Sequence, residues 1–191
     1  MVYAATSLSG AFYLFYSNKL DDPEKKEAFD RSYGAFLFIS GLVAIYLALN
    51  MITTWPIDIP NTPLYLYNQQ FGEPYLMFGI IATASGYALY HKYDVRPITY
   101  FAFVVGIFLL RYGINFLQFG LTRVLPLAAT IYLTAALGAL ISVFWAHLSE
   151  DKPTKMYLGY LLILLLFISG ATTLFVGFTA VEGHVTEALA G

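Results

Sequence analysis

MYLGYLLILLLFISGATTLFVGFTA, residues Met156 to Ala180, carries no charged side chain. A helix rises about 1.5 Å per residue, so about 20 apolar residues cross a hydrocarbon core of roughly 30 Å. This stretch is long enough and apolar enough to do so. Working back along the chain, Val124–Leu148, Pro97–Phe119, Pro74–Tyr90 and Tyr33–Thr53 meet or approach the same requirement, and Val2–Ser17 is the shortest candidate. Pro74, Pro97 and Pro126 stand near predicted helix starts, where a missing N–H costs nothing. Hydrophobic residues make up 59% of the 191 and charged residues 12%, against about 25% charged in a soluble domain. Too few charges are present to coat a water-facing surface. The expected fold is a single all-α domain, a polytopic membrane bundle of about six transmembrane helices.

The segments between these helices alternate in charge. Lys19, Lys25, Lys26 and Arg31 lie between the first two, Lys92 and Arg96 in His91–Arg96, and Lys152 and Lys155 in Ser149–Lys155. Together they are eight of the ten Lys and Arg. Thr54–Glu73 has no basic residue and Gly120–Arg123 has one. Because cytoplasmic loops collect Lys and Arg, the basic linkers are expected inside the cell membrane and both termini outside. Residues 54–73 are then an outer loop. Pro56, Pro60 and Pro63 argue against a regular helix there, and Trp55, Tyr65, Tyr67 and Phe71 suit the headgroup zone. The N-terminal stretch lacks a basic region and a small-residue cleavage site, so it reads as a retained helix.

Glycine recurs at intervals of seven: Gly34 and Gly41; Gly79 and Gly86; Gly106, Gly113 and Gly120; Gly170 and Gly177. Seven residues are nearly two helical turns, so each set shares a face, and small residues let apolar helices approach closely. These faces are expected to form the internal seams. Phe38-Ile39-Ser40-Gly41 is echoed by Phe167-Ile168-Ser169-Gly170, too short a match to establish a repeat.

Arg111 is the charge inside a predicted span, with Asn115 and Gln118 at i+4 and i+7 on the same stripe. A charge at that depth is costly and usually faces a wet cavity or a partner, although a long side chain can also reach the surface or form a structural pair. Glu73 lies on the same side of the bundle and could pair with it, or simply cap a helix. Asp58, Asn61, Asn68, Gln69 and Gln70 of the same outer loop complete the polar set expected around an outward-opening ligand site, with Trp55 as a further candidate. Asn50, Thr53, Thr54, Ser169, Thr172 and Thr173 add to the polarity of the outer half.

Other chemistries find less support. The absence of cysteine removes disulfides, thiolate metal sites and Cys nucleophiles. His184 and Glu187 share a helical face and are weak metal candidates, since a polar helix exit has the same composition. Haem held by His91 and His147 is disfavoured, because histidines at helix ends more often mark the interface. No cofactor is expected. No nucleophile–base pair is evident, so an enzyme is disfavoured without being excluded. The formal net charge of −2 gives no reason to expect nucleic-acid binding.

Trp55-Pro56 after one helix, followed by Phe71-Gly72-Glu73-Pro74 opening the next, resembles an archaeal membrane-protein family catalogued as domain of unknown function 981. The resemblance runs from about Tyr33 onward. It implies a several-helix membrane protein of archaeal type and draws interest to Trp55, Asn68 and Glu73. It supplies no catalytic residues.

Two functions are open at this point. One is a bundle that binds or transports a small molecule or ion through the polar set around Arg111. The other is an accessory subunit of a larger membrane complex, for example a respiratory one, in which the glycine seams serve assembly and Arg111 is structural. The lipid bilayer is the expected surrounding, and a homo-oligomer or other membrane subunits are candidate partners.

Overall fold

The computed structural model describes residues 1–56, 64–119, 125–149 and 151–190, and the side chains of these apart from residues 64–67, 125 and 180–190. Among the described residues every regular element is a helix: α1 (Val2–Ser17), α2 (Pro23–Thr54), α3 (Leu64–His91), α4 (Arg96–Phe119), α5 (Leu125–His147) and α6 (Pro153–Ala190). Local chemistry sets several of the ends. Asp22 caps α2 by accepting from the Glu24 N–H at 3.0 Å and the Lys25 N–H at 3.4 Å, with Pro23 in the first turn. Trp55 ends the same helix in the left-handed conformation (φ 49°), and Pro56 follows. At the end of α3, Lys92 takes φ 60° and the Tyr93 N–H reaches back to the Ala88 carbonyl at 2.8 Å.

Neighbours in sequence are neighbours in space, and α6 returns to α1, so the six helices close a ring. The close seams are α2–α3 and α4–α5, the thin ones α1–α2 and α3–α4. Glycine explains the close ones. A Cβ on Gly34 would stand 2.7 Å from the Tyr90 nitrogen and 2.8 Å from the Gly86 oxygen. One on Gly41 would stand 2.5 Å from the Thr83 nitrogen and 2.8 Å from the Gly79 oxygen. Real Cβ atoms cannot come so near, so these backbones touch only because the side chains are missing. Gly106 and Gly113 meet Ala136 and Leu133 across α4–α5, and Gly170 meets Leu8 across α6–α1, as the seven-residue spacing predicts.

The three basic linkers gather at one end of the ring. Lys92 pairs with Glu27, joining the start of α2 to the α3–α4 linker. Tyr100 near the start of α4 meets His147 at the end of α5, Oη to Nε2 at 2.7 Å.

The helices differ from expectation in three places. α2 begins at Pro23 instead of Tyr33, because the Asp22-Pro23-Glu24 start is a strong cap. α6 runs to Ala190 and not Ala180. Residues 54–73 are not all loop: α3 starts at Leu64, and Pro74 lies inside it instead of opening it. Among the described residues four helices (α2, α4, α5 and α6) are long and apolar enough to cross a membrane. The 16 residues of α1 reach about 24 Å, less than a hydrocarbon core of roughly 30 Å, a mismatch that local thinning of a bilayer accommodates. α3 is long enough, but Asn68, Gln69, Gln70 and Glu73 reduce its apolarity.

Candidate functional site

The thin α3–α4 seam holds a cavity of about 270 Å³. α3 contributes Gln69, Gln70 and Glu73, and α4 contributes Phe108, Arg111, Tyr112 and Asn115. The α4 residues recur at i, i+3, i+4 and i+7, one face of a helix. Arg111 stands eight residues before Phe119, so the cavity lies roughly 12 Å along α4 from that end, away from the basic linkers.

Pro74 shapes the α3 wall. It has no N–H, so it cannot serve the Gln70 carbonyl four residues earlier. The Tyr132 hydroxyl of α5 donates to that carbonyl at 3.1 Å. The Gln70 side chain in turn donates through Nε2 to the Tyr112 carbonyl at 3.2 Å, and the Tyr112 hydroxyl donates to the Glu73 carboxylate. Behind these groups Phe71, Phe116 and Tyr132 pack as a cluster, with ring centroids 5.2 Å apart for Phe71–Phe116 and 5.0 Å for Phe116–Tyr132. Phe116 is fully buried against Ala128 and Ala129. α3 is therefore tied to α4 and α5 by hydrogen bonds over an aromatic floor.

Two lining groups keep unspent capacity. Asn115 Oδ1 is buried and, among the described residues, has no hydrogen-bond partner. An acceptor left so costs about 1–3 kcal/mol. Arg111 is exposed and, among the described residues, has no carboxylate within 4.0 Å. Arg111 and Glu73 thus line one cavity without a direct ion pair.

Of the residues singled out in the sequence, Arg111, Asn115 and Glu73 are together in this cavity. Gln118, one turn beyond Asn115, is exposed and does not line it. Asn68 is fully buried near the start of α3, outside the cavity wall. Trp55 sits at the α2 end, 44% exposed. Asp58 and the side chains of His184 and Glu187 lie outside the described residues. Of the hydroxyls expected in the polar half, three serve their own helices and one reaches another helix. Thr53, Thr54 and Thr173 bond to carbonyls four residues back, and Ser169 meets the Tyr3 hydroxyl at 2.7 Å. Tyr112 and Phe108 were missed. Tyr112 adjoins Arg111 in sequence, but nothing local marks it as the partner of Glu73. At the opposite end, His147 has Nε2 against Tyr100 and Nδ1 2.8 Å from the Val143 carbonyl, while the His91 ring packs among Tyr87, Tyr90 and Tyr93.

No curated protein and no solved structure matches this chain. A family model does match, over residues 1–187, and so takes in α1 as well as the segment from Tyr33 onward. The chain, with its six-helix ring and its polar cavity at the α3–α4 seam, belongs to the family described as protein of unknown function (DUF981).

Proposed function

We propose that this chain is an integral protein of the cell membrane, of archaeal type, that binds and passes a small polar molecule or ion through the cavity between α3 and α4. The observation that carries this reading is the cavity itself, where Glu73, Arg111 and an unserved Asn115 oxygen converge between two thinly packed helices. Large apolar side chains point outward all around the ring: Ile39 at 62% exposure, Phe144 at 61% and Phe178 at 60%. Such a surface suits lipid and would be a liability in water. With the basic linkers cytoplasmic, both termini and the cavity mouth are extracytoplasmic.

The native chain has no cysteine, so a single introduced thiol reports its own surroundings. Asn115→Cys should react with a membrane-impermeant thiol reagent added outside, and Phe144→Cys on the apolar surface should not. Labelling of Asn115→Cys only from the cytoplasmic side, or from neither side, would refute the reading.

A second reading, an accessory subunit of a larger membrane complex, is favoured by one observation. A Cβ on Gly138 of α5 would meet nothing within 4 Å, leaving an open small-residue position on the described surface. Under that reading Arg111→Ala disturbs assembly and has no effect on a small ligand.

A further inference from the structure

The cavity offers a guanidinium and a carboxylate that do not neutralise each other. A lone cation entering it meets Arg111, and a lone anion meets Glu73, so either brings a like-charge contact with its attraction. A molecule with both charges meets each with its opposite. The donor and acceptor count points the same way. Arg111 presents five N–H donors in a planar fork, the geometry that a carboxylate accepts in pairs. Glu73 receives the Tyr112 hydroxyl but has about four acceptor positions, and Asn115 Oδ1 has one demand unmet. The donors of an ammonium would serve the open positions on Glu73. Water alone gives no reason for both charges to share one small space. The volume of about 270 Å³ lies just below the range of drug-sized pockets, which limits the ligand to a few heavy atoms around the two charges.

We infer that the α3–α4 cavity binds a small zwitterion of the amino-acid class, its carboxylate on Arg111 and its ammonium on Glu73, an inference that rests on reading the cavity as a ligand site. Three probes of one carbon skeleton test it on the full chain in lipid nanodiscs by titration calorimetry: L-alanine, propionate and ethylamine. L-alanine should bind at least tenfold more tightly than either single-charge analogue. Arg111→Gln should remove the preference of alanine over ethylamine, and Glu73→Gln its preference over propionate, with the unfolding midpoint of each variant measured alongside. If one variant fails to fold, the other still tests its own end of the ligand. Propionate or ethylamine binding as tightly as alanine would overturn the zwitterion while leaving the ligand site standing. If no probe binds although Asn115→Cys is labelled from outside, the zwitterion is overturned and the open cavity remains. If labelling fails as well, both readings fall.

Discussion

Gln70 links the chemistry of the chain to its tertiary structure through a single carbonyl. Pro74 removes the N–H that would serve it, and the Tyr132 hydroxyl from another helix supplies a donor. Removing that hydroxyl leaves a polar atom in a setting where Gln70 is only 5% exposed. Tyr132→Phe is expected to lower stability by about 1–3 kcal/mol, the usual penalty for a buried group stripped of its partner. Unfolding of the purified protein in mild detergent, followed by circular dichroism, measures it, and a loss under about 0.3 kcal/mol would mean that the carbonyl finds another donor. Arg111 was legible at this scale, since a charge in an apolar span stands out in any sequence. Tyr112 was not, because one tyrosine among 16 carries no local sign of its partner.

At the scale of the helix, the glycines divide by what lies opposite. Gly41 faces the backbone of α3 at Thr83 and Gly79, whereas Gly138 faces open space. Gly41→Ala must push α2 and α3 apart, and overpacking of this kind costs typically about 1–3 kcal/mol. Gly138→Ala adds a better helix former without a clash, worth roughly 0.5–1 kcal/mol in the stabilising direction. The same unfolding measurement should move in opposite directions for the two variants; equal effects would mean that the seams do not depend on close backbone approach. The seven-residue spacing showed which glycines share a face. It did not reveal that Gly138, outside the pattern, is the open one among the described glycines. The starts of α2 and α3 show the same contrast. Asp22, Pro23 and Glu24 are a local signal that reading by hydropathy passed over. The extension of α3 back to Leu64 depends on a proline tolerated within the helix.

Across the whole molecule, the α2–α3 hairpin joins the other four helices along the two thin seams, and each is crossed by a tyrosine–carboxylate hydrogen bond. Tyr13 of α1 donates to Asp30 of α2 at 2.8 Å, and Tyr112 of α4 donates to Glu73 of α3. In both cases the carboxylate belongs to the hairpin. Asp30 lies toward the basic-linker end and Glu73 toward the other, so the bonds share no neighbour. Tyr13→Phe and Tyr112→Phe are each expected to cost about 1–2 kcal/mol. The double variant should lose the sum within about 0.5 kcal/mol, as independent sites do. A larger coupling in a double-mutant cycle would show that the two seams open together.

Composition and hydropathy by themselves determined that this is an all-helical bundle with apolar spans, where its basic linkers fall, and which charge sits alone within a span. All of these are local or additive properties of the chain, readable one window at a time. Only the tertiary structure decided that the seam between α3 and α4 is thin enough to leave a cavity, and that Glu73, Arg111 and Asn115 line it while Gln118 does not. The physical reason is rotation. A helix's own periodicity places residues on faces, but the face turned toward a neighbour depends on how closely the backbones pack. That closeness is set where glycines of one helix meet the backbone or side chains of another, far away in sequence.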